Sequence, residues 1–379
     1  MIFSPPSWLE ISTSAFDHNI SQYKRIIGPS NILAPVIKSN AYGHGLIEIG
    51  RLCELNNNIG WLCVVKLSEA TTLRANGITK PILMLGFVDK DPAQTVNMNI
   101  EYACSDFEQA SYFSSIGQQT SSYINLHIKV DTGLARFGTY PDQVIVLIKK
   151  IQSLPYIKIN GIWSHFAESH NPDQAYTRLQ LQHFNNLLHD LKKSDISIPY
   201  KHMSNSAAIT NYDLQHCNLF RVGLGIYGYW PSEFTQNNTQ LQYPDFTLKP
   251  VATWKTRILH IKSVPAGHSI GYDRTVIAQE NKTIALLPVG YENGYSSFLS
   301  NKGFVGIAGD CAPTLGRVAM NIITIDITHI KDAYIGQEVT LLGNHHRYNA
   351  EALADATQIN NPRFITTNIK ADTPKVIVD

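Results

Sequence analysis

The sequence predicts an α/β protein in two parts, an N-terminal (β/α)8 TIM-like barrel followed by a mainly β C-terminal domain. Three observations carry that prediction. Eight short apolar runs alternate with mostly helix-length amphipathic stretches between Ile32 and Val222, the pattern of parallel strands buried on both faces and joined by helices. After Pro231 comes a polar stretch, 232–240, and then short β-rich runs between Gly-rich turns. A chain of 379 residues also exceeds the roughly 250–300 residues at which one hydrophobic core stops growing. The expected division gives a barrel of residues 1–238 and a β domain of residues 239–379.

Each element has a local reason. Ser14-Ala-Phe-Asp17 reads as a capping box, with Phe16, Ile20, Tyr23 and Ile27 at helical spacing and Gly28-Pro29 as the stop. The first barrel strand is Ile32-Leu-Ala-Pro-Val-Ile37, which ends on Lys38. Runs at 62–65, 82–85, 102–104, 126–130, 159–163, 200–203 and 219–222 supply the other seven. In the second part the strands fall at 251–264, 283–288, 304–307, 322–326 and 338–342, with one late helix.

Composition excludes several function classes. Thirty-one Lys+Arg against thirty Asp+Glu leave a net charge of +1, which argues against nucleic acid or an acidic membrane as partner. The 16% of charged residues lies below the roughly 25% of an average globular protein, so large buried surfaces are expected. No run reaches the roughly 18 apolar residues of a membrane span, and the start lacks the basic and apolar regions of a signal peptide. A cytoplasmic protein is expected. Cys53, Cys63, Cys104, Cys217 and Cys311 are widely spaced with no Cys-x-x-Cys, so neither a disulfide framework nor a zinc site is indicated. No metal is expected.

In a (β/α)8 barrel the working groups gather at the carboxyl ends of the strands. Those ends carry Lys38, Lys66, Lys129 with Asp131, Ser164-His165, Ser204-Asn205-Ser206 and Arg221. A lysine leaving a buried strand is partly desolvated, which favours the neutral amine of Schiff-base chemistry; a lysine snorkelling to solvent is the alternative. The following residues favour chemistry, because Gly43 and Gly45 open a helix and Tyr42 can aim a hydroxyl at a phosphate. Arg221-Val-Gly-Leu-Gly-Ile-Tyr-Gly228 places Gly223 and Leu224 after the eighth strand, the usual phosphate position of this architecture. Its Gly-x-Gly-x-x-Gly spacing lacks the acidic residue of a dinucleotide site. It reads as a phosphate grip, with Asn205-Ser206 adding a hydroxyl donor.

These motifs together resemble the alanine racemase family. The resemblance rests on Trp8-Leu-Glu-Ile11, Val36-Ile-Lys-Ser-Asn-Ala-Tyr-Gly-His-Gly45, Lys129-Val-Asp-Thr-Gly-Leu-Ala-Arg-Phe-Gly138, Asn205-Ser-Ala-Ala208, the Arg221 segment, Gly271-Tyr272, Val289-Gly-Tyr-Glu-Asn-Gly-Tyr295 and Gly316-Arg-Val-Ala-Met320. It implies pyridoxal 5'-phosphate as cofactor, carried by Lys38, and a small amino acid as substrate, with D-alanine supplied to peptidoglycan. It also implies a head-to-tail homodimer in which Tyr272 enters the other subunit's site as second base. Racemisation exchanges protons on opposite faces of Cα, so two bases serve it better than one. By the same resemblance Lys38 takes the proton of the D-enantiomer and Tyr272 that of the L-enantiomer, with His165 a candidate helper for the tyrosine. Arg221 would face the pyridine nitrogen and, with a pKa above about 12, would not protonate it. Arg136 would orient the phenolic oxygen and the substrate carboxylate, and the Met320 N–H would bind that carboxylate. Lys129 matches a lysine that can be carbamylated; a plain salt bridge of Asp131 with Lys129 or Arg136 is the other reading.

Three departures stand out. Asp273 follows Tyr272 where glycine is usual, Ala319 and Asn321 flank Met320 where cysteine and aspartate are usual, and Asn361 is nearest the position of a pocket-narrowing tyrosine. The last suggests a wider pocket that also takes serine. A non-catalytic cofactor carrier would need only the barrel, and a related barrel decarboxylase would need a C-terminal cysteine that Cys311 does not match.

Overall fold

The computed structural model describes residues 5–359 and 361–379. The amino-terminal Met1-Ile-Phe-Ser4, read above for a signal peptide, and Asn360 lie outside the described residues.

A first strand, β1 (Ser7–Ser12), leads into α1 (Thr13–Ile27). The cap of α1 is Ser12, whose Oγ accepts from the Ala15 N–H at 3.1 Å. This corrects the expected box at Ser14, which lies inside the first turn and donates its N–H to the Asp379 carbonyl. The expected face is the buried one: Phe16, Ile20, Tyr23 and Ile27 are nearly inaccessible, each stabilising by about 1.5–3 kcal/mol. Gly28 ends the helix at φ +80°, a conformation free of penalty only for glycine.

Eight parallel strands follow: β2 (Ile32–Pro35), β3 (Leu62–Lys66), β4 (Ile82–Phe87), β5 (Ile100–Cys104), β6 (Ile124–Lys129), β7 (Ile157–Trp163), β8 (Tyr200–His202) and β9 (Leu219–Val222). Pairing runs unbroken from β3 to β8, and β2 pairs with β9. The seams are joined by the Leu33–Ile59 and Val36–Cys63 bridges and by the Asn218 N–H donating to the Lys201 carbonyl. This is the expected (β/α)8 barrel. Its runs are continuous because both strand faces are buried, as at Leu62, Cys63, Val64, Ile82, Leu83 and Met84.

The connections are α2 (Lys38–Tyr42) with α3 (Leu46–Leu55), α4 (Leu67–Ala75), α5 (Phe107–Thr120), α6 (Pro141–Gln152), α7 (Ala175–Lys193) and α8 (Ser206–Asn211), with α9 (Glu233–Gln242) after β9. Between β4 and β5 a single 3-10 turn at Pro92–Thr95 replaces a helix.

The chain forms two compact units, one of residues up to Ala15, 40–48 and 250–379, the other of residues 16–39 and 49–249. The expected cut at 238/239 falls inside α9, and β1 pairs within the C-terminal unit. There β10 (Ala252–Arg257), β11 (His260–Val264), β12 (Ser269–Ile270), β13 (Val276–Ile277), β14 (Lys282–Leu287), β15 (Phe304–Ile307), β16 (Asp310–Pro313), β17 (Ile323–Asp326), β18 (Glu338–Leu342) and β19 (Lys375–Val378) build three sheets. The largest has the order β16-β15-β18-β10-β1-β19.

Two late helices occur where one was expected, α10 (Ala350–Ala356) and α11 (Pro362–Asn368). Pro362, which reads as a breaker, stands at the first helical position, where a missing N–H costs nothing. No described helix is long and apolar enough to cross a membrane.

Candidate active site

Lys38 leaves β2 at the barrel mouth, half-buried, and begins α2. That turn is left-handed: Ser39, Asn40, Ala41 and Tyr42 all have φ between +51° and +54°. It is held by backbone as much as by side chains. The Ser39 N–H donates to Glu69 Oε1 at 2.6 Å, and Asn40 accepts through its carbonyl from Gly43 and Gly45 and through Oδ1 from Leu46. Gly43, at φ +91°, lies so close to the Thr366 carbonyl that a Cβ would overlap it.

β6, across the barrel, and β9, the paired neighbour of β2, deliver Lys129 and Arg221, both buried. The Lys129 ammonium donates to the Val130 carbonyl at 3.0 Å and lies 4.5 Å from the Trp163 ring centre. Burial, aided by Arg221 and Arg136 and opposed by Asp131, pushes its pKa down to about 7. Asp131 is engaged elsewhere. Its Oδ1 accepts from the N–H groups of Gly133, Leu134 and Ala135, which outweigh burial and hold its carboxyl below the ordinary value.

Arg221 lies over Trp163, with its guanidinium carbon 4.9 Å from the ring centre, and donates to the Ser164 carbonyl at 2.9 Å, to Nδ1 of His165 at 3.3 Å and to Nδ1 of His202. Burial pushes its pKa down to about 10, which still leaves it protonated at neutral pH. His165 lies in the field of Arg221, Lys129, Arg136 and Lys38, and burial with those charges pushes its pKa well below the ordinary value. Arg136 itself is exposed in the loop after β6.

The loops expected to grip a phosphate form a knot beside these groups. Asn205 caps α8, its Oδ1 accepting from the Ala208 N–H and the Ser169 hydroxyl at 2.9 Å each. Ser206 Oγ accepts from the N–H groups of Gly223 and Gly225 at 3.2 and 3.1 Å. Two donors expected to face an anion therefore meet a hydroxyl, the nearest acceptor in a buried loop. Gly225 is required sterically, because a Cβ there would overlap the Tyr23 hydroxyl. Leu224 opens the 3-10 turn Leu224–Tyr227.

Tyr272 and Met320 are presented by the C-terminal unit. Gly271 and Gly316, at φ +76° and +73°, pack their backbones together, with a Cβ on Gly271 3.5 Å from the Gly316 Cα. This joins the Tyr272 turn to the segment leading to Met320. Gly290 leaves room for the Ala319 and Met320 carbonyls, which accept from the N–H groups of Tyr291 and Glu292 at 3.1 and 3.0 Å. Tyr272 and Met320 remain 68% and 53% exposed.

The family model for the alanine racemase N-terminal domain matches residues 11–231, and that for the alanine racemase C-terminal domain matches residues 251–377. The chain belongs to the alanine racemase family. It is similar to the alanine racemase of Methanococcus maripaludis, 38% identical over 90% of this chain and 90% of that protein. It is also similar to that of Clostridium tetani, 36% identical over 98% and 95%. Among solved structures, the alanine racemase of Clostridium difficile 630 superposes with a TM-score of 0.92 at 28% identity, covering 99% of this chain and 96% of that one. The alanine racemase of Bacillus anthracis with bound L-Ala-P superposes at 0.87, with 26% identity and coverage of 100% and 96%.

Two departures from the usual racemase pattern have local explanations. Asp273 lies at φ +56°, where glycine is at ease and aspartate is among the better-tolerated alternatives, and its carboxylate pairs with Arg317 Nε at 2.7 Å. Asn361 caps α11, its Oδ1 accepting from the Arg363 N–H and Nε at 3.1 Å each. Nothing in the structure explains Asn321 or Ala319. His127 and His202, absent from the sequence-based candidates, are buried in line with Arg221; polar residues inside otherwise apolar strands were the available signal.

Proposed function

We propose that the protein is an alanine racemase that uses pyridoxal 5'-phosphate, with a site shared between two copies arranged head to tail. The carrying observation is the gathering of Lys38, Lys129, Arg136 and Arg221 around His165, while Asp131, the carboxylate beside them, is occupied by backbone N–H groups. A mouth of this charge fits a phosphate, a phenolate and a substrate carboxylate together. Lys38 would hold the cofactor, with Tyr42, Asn205, Ser206, Gly223 and Leu224 around its phosphate. When bound, the cofactor supplies the electron sink that acidifies the substrate Cα–H.

The protein's own groups do the rest. Lys38 exchanges a proton on one face of Cα and Tyr272 of a second copy on the other, with His165 supporting that tyrosine. Arg221 keeps its proton, which leaves the sink weak and disfavours transamination. Arg136 and the Met320 N–H hold the substrate carboxylate. A lysine with a pKa near 7 carries a large neutral fraction at physiological pH, the form that carbamylation of Lys129 requires. The exposure of Tyr272 and Met320 supports the shared site. Five free cysteines, four of them buried, suit a reducing cytoplasm.

Incubation with L-alanine in deuterated water is expected to give Cα-deuterated alanine and D-alanine; neither product from cofactor-loaded protein overturns the proposal. Asn361 favours a second reading, in which the pocket also takes serine. A serine-to-alanine rate ratio equal to that of a tyrosine-bearing relative would remove it.

A further inference from the structure

Two imidazoles join Arg221 to a carboxylate deep in the barrel. Glu101, the second residue of β5, is buried, and its two oxygens accept from Asn160 Nδ2 at 2.7 and 2.8 Å and from Asn125 Nδ2 at 3.2 Å. Oε2 also lies 2.7 Å from His127 Nε2. His127 Nδ1 lies 2.8 Å from His202 Nε2, and His202 Nδ1 meets Arg221 Nη1. Glu101 stands near the start of β5 and Arg221 near the end of β9, so the row runs through the barrel interior towards the mouth.

The two ends fix the protons between them. A guanidinium has donors and no acceptor, whereas a carboxylate has acceptors and no donor. Nδ1 of His202 must therefore accept, and Nε2 of His127 must donate. Between the rings one bond remains, and only His202 Nε2–H donating to His127 Nδ1 completes it. Both rings are then neutral with the proton on Nε2, and every N–H in the row points from Arg221 towards Glu101. A second proton on either ring would set donor against donor. Burial, the largest cause in both, pushes the two histidines below their ordinary pKa, so the contact with Glu101 is a hydrogen bond donated by a neutral ring rather than an ion pair.

Arg221 itself bonds two histidines and a carbonyl. We infer that Glu101 is the counter-charge of Arg221, acting through His127 and His202, and that it is a positioning residue for the face Arg221 turns to the cofactor ring. The inference rests on the proposed placement of Arg221 against that ring. With Gln at 101, an amide NH2 can face His127, reverse both tautomers and present His202 Nδ1–H to a guanidinium that has only donors.

The test uses the full-length protein labelled with 15N-histidine, with the His127 and His202 signals assigned from His127→Gln and His202→Gln. In the wild type both rings are expected to be neutral, with a protonated Nε2 and a bare Nδ1. In Glu101→Gln the His202 nitrogens should shift towards the opposite tautomer. Titration of the apoprotein with pyridoxal 5'-phosphate should show roughly tenfold weaker binding, on the scale of losing an outer hydrogen-bond partner at a ligand site. Glu101→Asp, which keeps the carboxylate, should restore the wild-type tautomers. An imidazolium or an Nδ1–H at His202 in the wild type overturns the inference even if Glu101→Gln does not fold. Unchanged His202 signals in Glu101→Gln, or unchanged cofactor affinity, overturn it too, since a mere structural brace would alter stability alone. Wild-type protein that binds cofactor without racemising alanine refutes the proposed function and leaves the tautomer result standing.

Discussion

The barrel mouth and the loops of the C-terminal unit hold their chemical groups in opposite ways. Arg221 is 2% exposed and held by two histidines, a carbonyl and an indole face. Tyr272 is 68% exposed, on a turn whose backbone is fixed by two glycines while its side chain stands outward. The barrel residues are preorganised within one chain, as electrostatic catalysis demands. The C-terminal residues are displayed on a prepared backbone, the arrangement that the proposed shared site requires.

That contrast can be broken most severely at Lys38. Lys38→Ala should lower racemisation at least about 10⁴-fold, since it would remove both the proposed covalent anchor and a proposed base; a smaller loss in stopped assays would detach Lys38 from the chemistry. Tyr272→Phe should cost about 10²–10⁴-fold in proton removal from L-alanine, measured by deuterium exchange, with cofactor binding intact. Lost cofactor instead would place Tyr272 in the binding machinery.

Lys129 tests the buried side through pH. Between about 7 and its ordinary value of 10.5, the unfolded chain binds the proton that the folded chain has released, so its contribution to stability rises with pH. It is fully present above the unfolded pKa and lost as pH falls through about 7. Lys129→Met should therefore melt higher than wild type at pH 6.5 and lose the advantage by pH 10; parallel melting curves at both pH values would refute the depressed pKa.

Gly290→Ala sharpens the displayed side. Its Cβ would overlap the Ala319 and Met320 carbonyls, at a cost of about 1–3 kcal/mol in denaturant melts. Asp273→Gly should have the smallest effect. It relieves a left-handed strain of about 1 kcal/mol and gives up an exposed ion pair that stabilises by about 0–1 kcal/mol, so a melt nearly matching wild type is expected, and a loss above about 2 kcal/mol would show the Arg317 pair to be essential.

The barrel was legible because burial on both faces writes itself as continuous apolar runs, and Lys38 and Arg221 stood out as candidates because each lies at or near the end of such a run. The place of β1 was not. Trp8-Leu-Glu-Ile11 pairs with β10 and β19 from the far end of the chain, and no local pattern encodes a non-local partner. The displaced cap of α1 shows the same limit at short range, since Ser12 and Ser14 are chemically alike and tertiary context chose between them. Likewise the row from Arg221 to Glu101 draws one residue from each of four strands, so its members look like isolated polar residues until the strands are side by side.

The left-handed turn after Lys38 has a consequence for how the protein is made. Four consecutive residues at positive φ, at about 1–2 kcal/mol each, carry a strain comparable with the roughly 5–15 kcal/mol that stabilises a whole domain. No nascent segment of that length can hold such a shape alone. One wall of the turn, the Thr366 carbonyl against Gly43, is supplied by α11, far along the sequence from the turn itself. The turn is thus completed only once α11 has been made, and a chain stopped before α11 should lack its left-handed shape even if its barrel strands have paired.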